Sequence, residues 1–174
     1  MNRLVIFVFV LFLTACGAVH VNYDYDRETN FSNYTTYNYY PDIETGLSEL
    51  DAKRLIKAID SKLLGKGFLL SEEPEFYINI LSDAYRNPSG NAVGVGVGGT
   101  GGNIGGGVSI GLPIGRSGIE RQIQFDFIDS QKDFLFWQAV SESAYRDNAS
   151  PNDREAILRQ VVEKVFSKYP PRNK

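Results

Sequence analysis

The stretch IERQIQFDFIDSQKDFLFWQAVSES, residues 119–143, sets the architecture. Ile119, Arg121, Ile123, Phe125 and Phe127 share one parity, and Glu120, Gln122, Gln124 and Asp126 the other. Alternation at period two puts one set on a buried face and the other in water. Residues 119–128 are therefore a half-buried strand, with Arg121 the one break in the pattern. Asp129-Ser130-Gln131-Lys132-Asp133 reads as a turn, and residues 133–141 return as the hairpin partner. A hairpin with one apolar face needs a second layer, so the rest of the chain must supply a cover.

Two segments can. In residues 48–64, SELDAKRLIKAIDSKLL, apolar side chains at Ala52, Leu55, Ile56, Ile59 and Leu63 repeat at three and four, the spacing of one helix face. Ser48 can cap its start, with Asp51 three residues on, and Gly65 or Gly67 can end it. A second helix follows Ser150, with Pro151 at its first position and a stripe of Leu158, Val161, Val162, Val165 and Phe166, stopped by Pro170 and Pro171. Further strands are expected at 19–25, 34–40 and 76–82. Together these elements predict an α+β fold, a mostly antiparallel sheet with two amphipathic helices on one face.

GVGVGGTGGNIGGGVSIG, residues 94–111, contains Gly96, Gly98 and Gly101 in a G-x-G-x-x-G spacing. A dinucleotide loop needs a helix directly after it, so that the helix amino terminus meets the phosphates. The glycines and Pro113 that follow forbid one, and there is no G-K-[ST], so no nucleotide is expected. Residues 88–118 read instead as a glycine-rich hairpin or flexible arm, with valines at 93, 95 and 97 on one parity. Two other readings stay open: a surface for close approach by another backbone or a membrane, and a helical zipper of Gly107, Gly111 and Gly115. Each glycine costs a helix roughly 1 kcal/mol relative to Ala, which weighs against the zipper.

The chain has 174 residues, a formal net charge of -3, one Cys and one His. No basic block occurs, so no nucleic acid is expected as partner. A lone Cys excludes an internal disulfide framework and a multi-cysteine zinc site. That Cys has a particular setting. Arg3 precedes an unbroken apolar run, Leu4 to Leu13, too short to span a bilayer but of the length of a secretory signal core. Leu13-Thr14-Ala15-Cys16 then resembles the lipobox of bacterial lipoproteins. The resemblance implies cleavage before Cys16 and acylation of its thiol. Gly17, where an Asp would favour inner-membrane retention, implies sorting onward to the outer membrane. The expected organisation is a signal peptide at 1–15 and a single periplasmic α+β domain at 16–174, with the membrane as partner through acylated Cys16.

Residue types that carry catalysis or bind metals are present but scattered. His20 has no nearby nucleophile. Asp24 and Asp26 lack the spaced oxygen ligands of a calcium loop, and Glu72, Glu73 and Glu75 flank Pro74 in a loop. Tyrosines crowd residues 23–40, where sheet packing or the stacking of a glycan or protein partner would use them. No catalytic residue, cofactor or metal is expected.

VHVNYDYDRETNFSNYTTYNYY, the strand-turn-strand IQFDFIDSQKDFLFWQAVSES and the closing Tyr169-Pro170-Pro171 resemble, in that order, a bacterial lipoprotein family, domain of unknown function 4136. The turn at 129–133 departs from it in lacking glycine. The resemblance implies an envelope lipoprotein without catalytic residues to carry over. The function expected is a lipid-anchored, non-enzymatic binding or assembly module. The alternatives are an envelope hydrolase and an oligomeric assembly built through the glycine-rich hairpin, with a protein partner or self-association open in each case.

Overall fold

The hairpin of residues 119–143 supplies the second and third strands of a sheet that has six strands among the described residues. The structure, a computed structural model, describes residues 19–41, 43–86, 119–146 and 148–171. The described elements are β1 (His20–Tyr25), β2 (Thr36–Tyr39), α1 (Glu49–Leu64), β3 (Leu69–Leu70), β4 (Phe76–Arg86), β5 (Ile119–Asp129), β6 (Leu135–Tyr145) and α2 (Pro151–Phe166). The strand order across the sheet is β1-β6-β5-β4-β2-β3.

The expectation of an α+β fold with a mostly antiparallel sheet holds, with a parallel portion at one edge. β1, β6, β5 and β4 pair antiparallel, but β2 runs parallel to both β3 and β4, so the sheet is mixed. The reason is the crossover. After β2 the chain runs through the sixteen residues of α1 on one face before it returns, and a helical crossover of that kind brings the next strand back parallel.

The turn without glycine is built by aspartates. Asp133 takes the left-handed conformation (φ 51°), which Asp tolerates better than most residues. The Asp129 carboxylate accepts the amides of Gln131 at 2.9 Å and Lys132 at 2.7 Å. Past this turn the register shifts: Phe127 faces Trp137 while Ile128 faces Leu135, leaving Phe136 as the extra residue of a bulge. Simple alternation would expose either Phe136 or Trp137; the bulge buries both completely.

Those two rings join Tyr34, Phe76, Phe127 and Tyr169 in an aromatic core. Tyr34 stacks on Phe136 with centroids 4.2 Å apart, and Trp137 lies 5.1 Å from Tyr169. Ring pairs of this geometry add about 0.5–1.5 kcal/mol each beyond area burial. The helices close the same face with Leu55, Ile59 and Leu63 from α1 and Val161, Val165 and Phe166 from α2.

Candidate functional site

α1 and α2 lie side by side and run in the same direction. Near their starts, Asp51 accepts from Arg154 at 2.9 Å and from Arg54 at 2.7 Å. Near their ends, Lys62 pairs with Glu163. Both helices are capped as their sequences predict: Ser48 Oγ accepts the Asp51 amide and Ser150 Oγ the Asp153 amide. Burial pushes the Asp51 carboxyl up, but the hydrogen bonds from Arg154, Arg54 and Ser48 prevail and hold it below the usual carboxylate range.

The outward sides of the pair leave an open groove of about 610 Å³. Six of its lining residues are basic (Lys53, Arg54, Lys57, Lys62, Lys66 and Arg159), against two that are acidic, Glu155 and Glu163. Lys53, Arg54, Lys62 and Arg159 each meet a carboxylate. Among the described residues, Lys57 and Lys66 have none within ion-pair distance. Desolvation and repulsion from Lys62 hold the Lys66 amine below the ordinary lysine range, with Glu163 offsetting part of this.

The other side of the sheet carries no helix among the described elements. Alternation and register assemble its rows: His20, Glu142, Gln122 and Asp83 across four strands, then Asp24, Gln138, Asp126 and Asn79. Asp126 accepts from Gln124 at 2.9 Å and Gln138 at 2.7 Å, and Tyr85 donates to Glu120 at 3.2 Å. Five carboxylates lie on this face, Asp24, Asp83, Glu120, Asp126 and Glu142, and no Lys or Arg among the described strand residues accompanies them.

The ionisable groups that do converge inside the fold form ties between elements. Tyr34 donates to Asp129 at 2.8 Å, and Tyr37 and Tyr39 both donate to Asp60 Oδ1, at 2.8 and 2.7 Å. Desolvation and these carboxylates push all three phenols well above the ordinary tyrosine value, so they stay protonated donors near neutral pH. Most of the tyrosine crowd at 23–40 is thereby explained by packing: Tyr34 and Tyr37 are buried, and Tyr23 is the one left largely exposed. Glu75, expected in a solvated loop, instead accepts the amides of Thr35 and Thr36 and pins β2 to β4. His20 is exposed, and Asp26 accepts from the Glu28 amide and the Thr29 hydroxyl in a local turn. Arg121, the break in the β5 pattern, lies over the Tyr145 ring at 3.7 Å beside a cavity of about 30 Å³, room for a water or two. Among the described residues there is no cluster of three metal-ligating side chains, and no helix is long and apolar enough to cross a membrane.

The expected lipidation and sorting residues, Cys16 and Gly17, lie outside the described residues, as does the glycine-rich 88–118 segment. Two neighbouring features are described. β1 begins at His20, and the chain leaves β4 at Arg86 and re-enters β5 at Ile119. His20 pairs with Glu142, three residues from Tyr145, and Tyr145 pairs with Ile119. The start of β1, the end of β4 at Arg86 and the start of β5 at Ile119 therefore lie at one end of the sheet.

A mixed sheet with a parallel helix pair on one side and, among the described residues, a polar face without a helix on the other defines the class: an α+β layer protein. The chain belongs to the family described as Domain of unknown function (DUF4136), which matches residues 21–171. No curated protein matches it significantly. Among solved structures it is similar to a PDZ domain protein from Parabacteroides distasonis ATCC 8503, 13% identical with a TM-score of 0.58. That likeness covers 96% of this chain but 40% of the other, so this chain spans less than half of that protein. It is also similar to the PelC dodecamer from Paraburkholderia phytofirmans, 10% identical with a TM-score of 0.52, over 90% of this chain and 100% of that one. These likenesses are of fold.

Proposed function

We propose that this protein is a lipid-anchored component of the bacterial cell envelope, held at the periplasmic face of the outer membrane and acting as a non-enzymatic binding module. The observation that carries the reading is Leu13-Thr14-Ala15-Cys16 directly after the apolar run, with the only cysteine of the chain at the acylation position. One acyl chain holds a protein marginally, whereas two or three on one residue hold it durably, at about 0.8 kcal/mol per buried methylene. His20 follows Cys16 by four positions, a reach of about 14 Å, so the start of β1 would sit close to the lipid.

The fold supports a module over a hydrolase because the ionisable groups that meet inside it tie elements together, while the large groove is open along the helices. The test is fractionation of wild type and Cys16→Ser from a Gram-negative host, with mass spectrometry of the amino-terminal residue. The wild type should start at residue 16, carry acyl groups and sediment with outer membranes, and the variant should be released. A bare thiol, or a variant that stays with the membrane, overturns the reading.

A further inference from the structure

The two broad faces of the molecule carry opposite charge. The helix groove is lined by six basic and two acidic residues, and the open sheet face carries four exposed or half-buried carboxylates, Asp24, Asp83, Glu120 and Glu142, around a buried Asp126, with no Lys or Arg among its described strand residues. Each face also carries an exposed leucine: Leu50, 62% exposed, lines the groove at the start of α1, and Leu81, 48% exposed, lies in the middle of β4.

We propose that copies of this chain associate head to tail, the acidic sheet face of one seated on the basic helix face of the next. The dimensions agree. A sixteen-residue helix is about 24 Å long, within the roughly 36 Å of an eleven-residue strand. Two helices packed side by side offer a footprint of about 500 Å² per copy, near the lower end for a specific contact. Lys57 and Lys66, the two groove cations with no carboxylate within ion-pair distance among the described residues, would find one on the neighbouring sheet, in Asp24 or Asp83. A contact between two different faces is heterologous, so it propagates into a row or closes into a ring.

This inference deepens the module reading by naming the partner as a second copy, and it orients the stack. α2 starts with Arg154 beside Tyr145 and ends with Phe166 beside Trp137, so it runs along β6; the expected tether leaves from one strand end, so copies would line up parallel to the membrane. The two claims fail separately: loss of the tether appears as release from membranes, and loss of this contact as a single-copy mass.

The test is sedimentation of the full chain in detergent at tens of micromolar. At about 50 mM salt the wild type should sediment as multimers that dissociate by about 500 mM, as screened charge pairs do. Lys57→Glu with Lys66→Glu, and separately Asp24→Lys with Asp83→Lys, should each give single copies while keeping the wild-type circular dichroism. Mixing the two variants should restore multimers, because each then offers faces complementary to the other. The neutral variants Lys57→Gln with Lys66→Gln and Asp24→Asn with Asp83→Asn should weaken association at least threefold and serve if a reversed variant does not fold. A wild type that is single-copy at low salt, multimers indifferent to salt or reversal, or a mixture that stays single-copy overturns the proposal. So does a single-copy protein that retains dextran sulfate through Lys57 and Lys66, since the groove would then serve a foreign polyanion.

Discussion

Oδ2 of Asp51 lies 2.9 Å from Nη1 of Arg154, 103 residues further along the chain. With Arg54 on its other oxygen, this one carboxylate joins the first turns of both helices from a side chain that is 3% exposed. Its removal takes the shared carboxylate from two guanidinium groups, Arg154 keeping the Ala149 carbonyl at 3.2 Å.

Asp51→Asn should therefore cost about 2–4 kcal/mol in urea unfolding, toward the range for breaking a buried ion pair. A double-mutant cycle with Arg154→Met should show coupling above about 1 kcal/mol. A cost below about 0.5 kcal/mol would mean that the hydrophobic stripes alone align the helices.

Acid should unfold the protein through a short set of carboxylates. Asp51, Asp129 and Glu75 all titrate below their usual values in the folded chain. Each adds stability that is complete above the unfolded value of about 4 and is lost as pH falls through the folded one. Urea midpoints should be flat from about pH 5 to 7 and fall below about pH 4, and Asp51→Asn should flatten that fall. Equal slopes for variant and wild type would contradict the assignment.

Alkali should act through phenols. Tyr34, Tyr37, Tyr39 and Tyr169 are each raised, by desolvation first. A raised group contributes stability that is intact below the unfolded value near 10 and is lost as pH climbs through the folded one. Tyrosinate absorbance should rise in two stages, with these four ionising only as the fold opens. A single stage with unchanged circular dichroism would refute this.

Two glycines separate space from conformation. Gly46 has φ +69°, and an added Cβ would collide with the Ser82 carbonyl oxygen. Gly67 has φ +90° with open space around it. Gly67→Ala should cost about 1 kcal/mol from backbone strain alone, and Gly46→Ala clearly more, about 2–3 kcal/mol. Thermal melts of the two variants give the order directly.

The Tyr169 hydroxyl is buried and, among the described residues, has no hydrogen-bond partner. Tyr169→Phe keeps the ring contacts and removes an unsatisfied polar atom, so it should be neutral or stabilising by up to about 1 kcal/mol. A loss above 1 kcal/mol would reveal a partner for that hydroxyl, such as an ordered water.

The helices and the long strands were legible because each buries one face at a fixed period and carries its own stop signals, Ser48 and Ser150 among them. Three features were not legible. β2 is four residues long and runs parallel only because α1 intervenes, which alternation within β2 cannot show. The bulge at Phe136 breaks the alternation within β6, which the sequence offered only as the hairpin partner of β5. The roles of Asp51 and Asp60 depend on partners far along the chain; only Asp60's position within an apolar helical pattern hinted at one. The opposite charges of the two faces were present as strand parity and helix spacing, but became surfaces only once the sheet order was known.

β1 lies against β6, the first described strand beside the last. A polypeptide delivered amino terminus first must hold residues 20–25 without a neighbour until residues 135–145 have arrived. That edge is then the slowest to close, since pairing across so long a loop carries a large entropic penalty. Polypeptides cut short before β6 would expose a tyrosine-bearing strand with nothing to zip onto, so proteolytic clearance of unfinished chains should begin there.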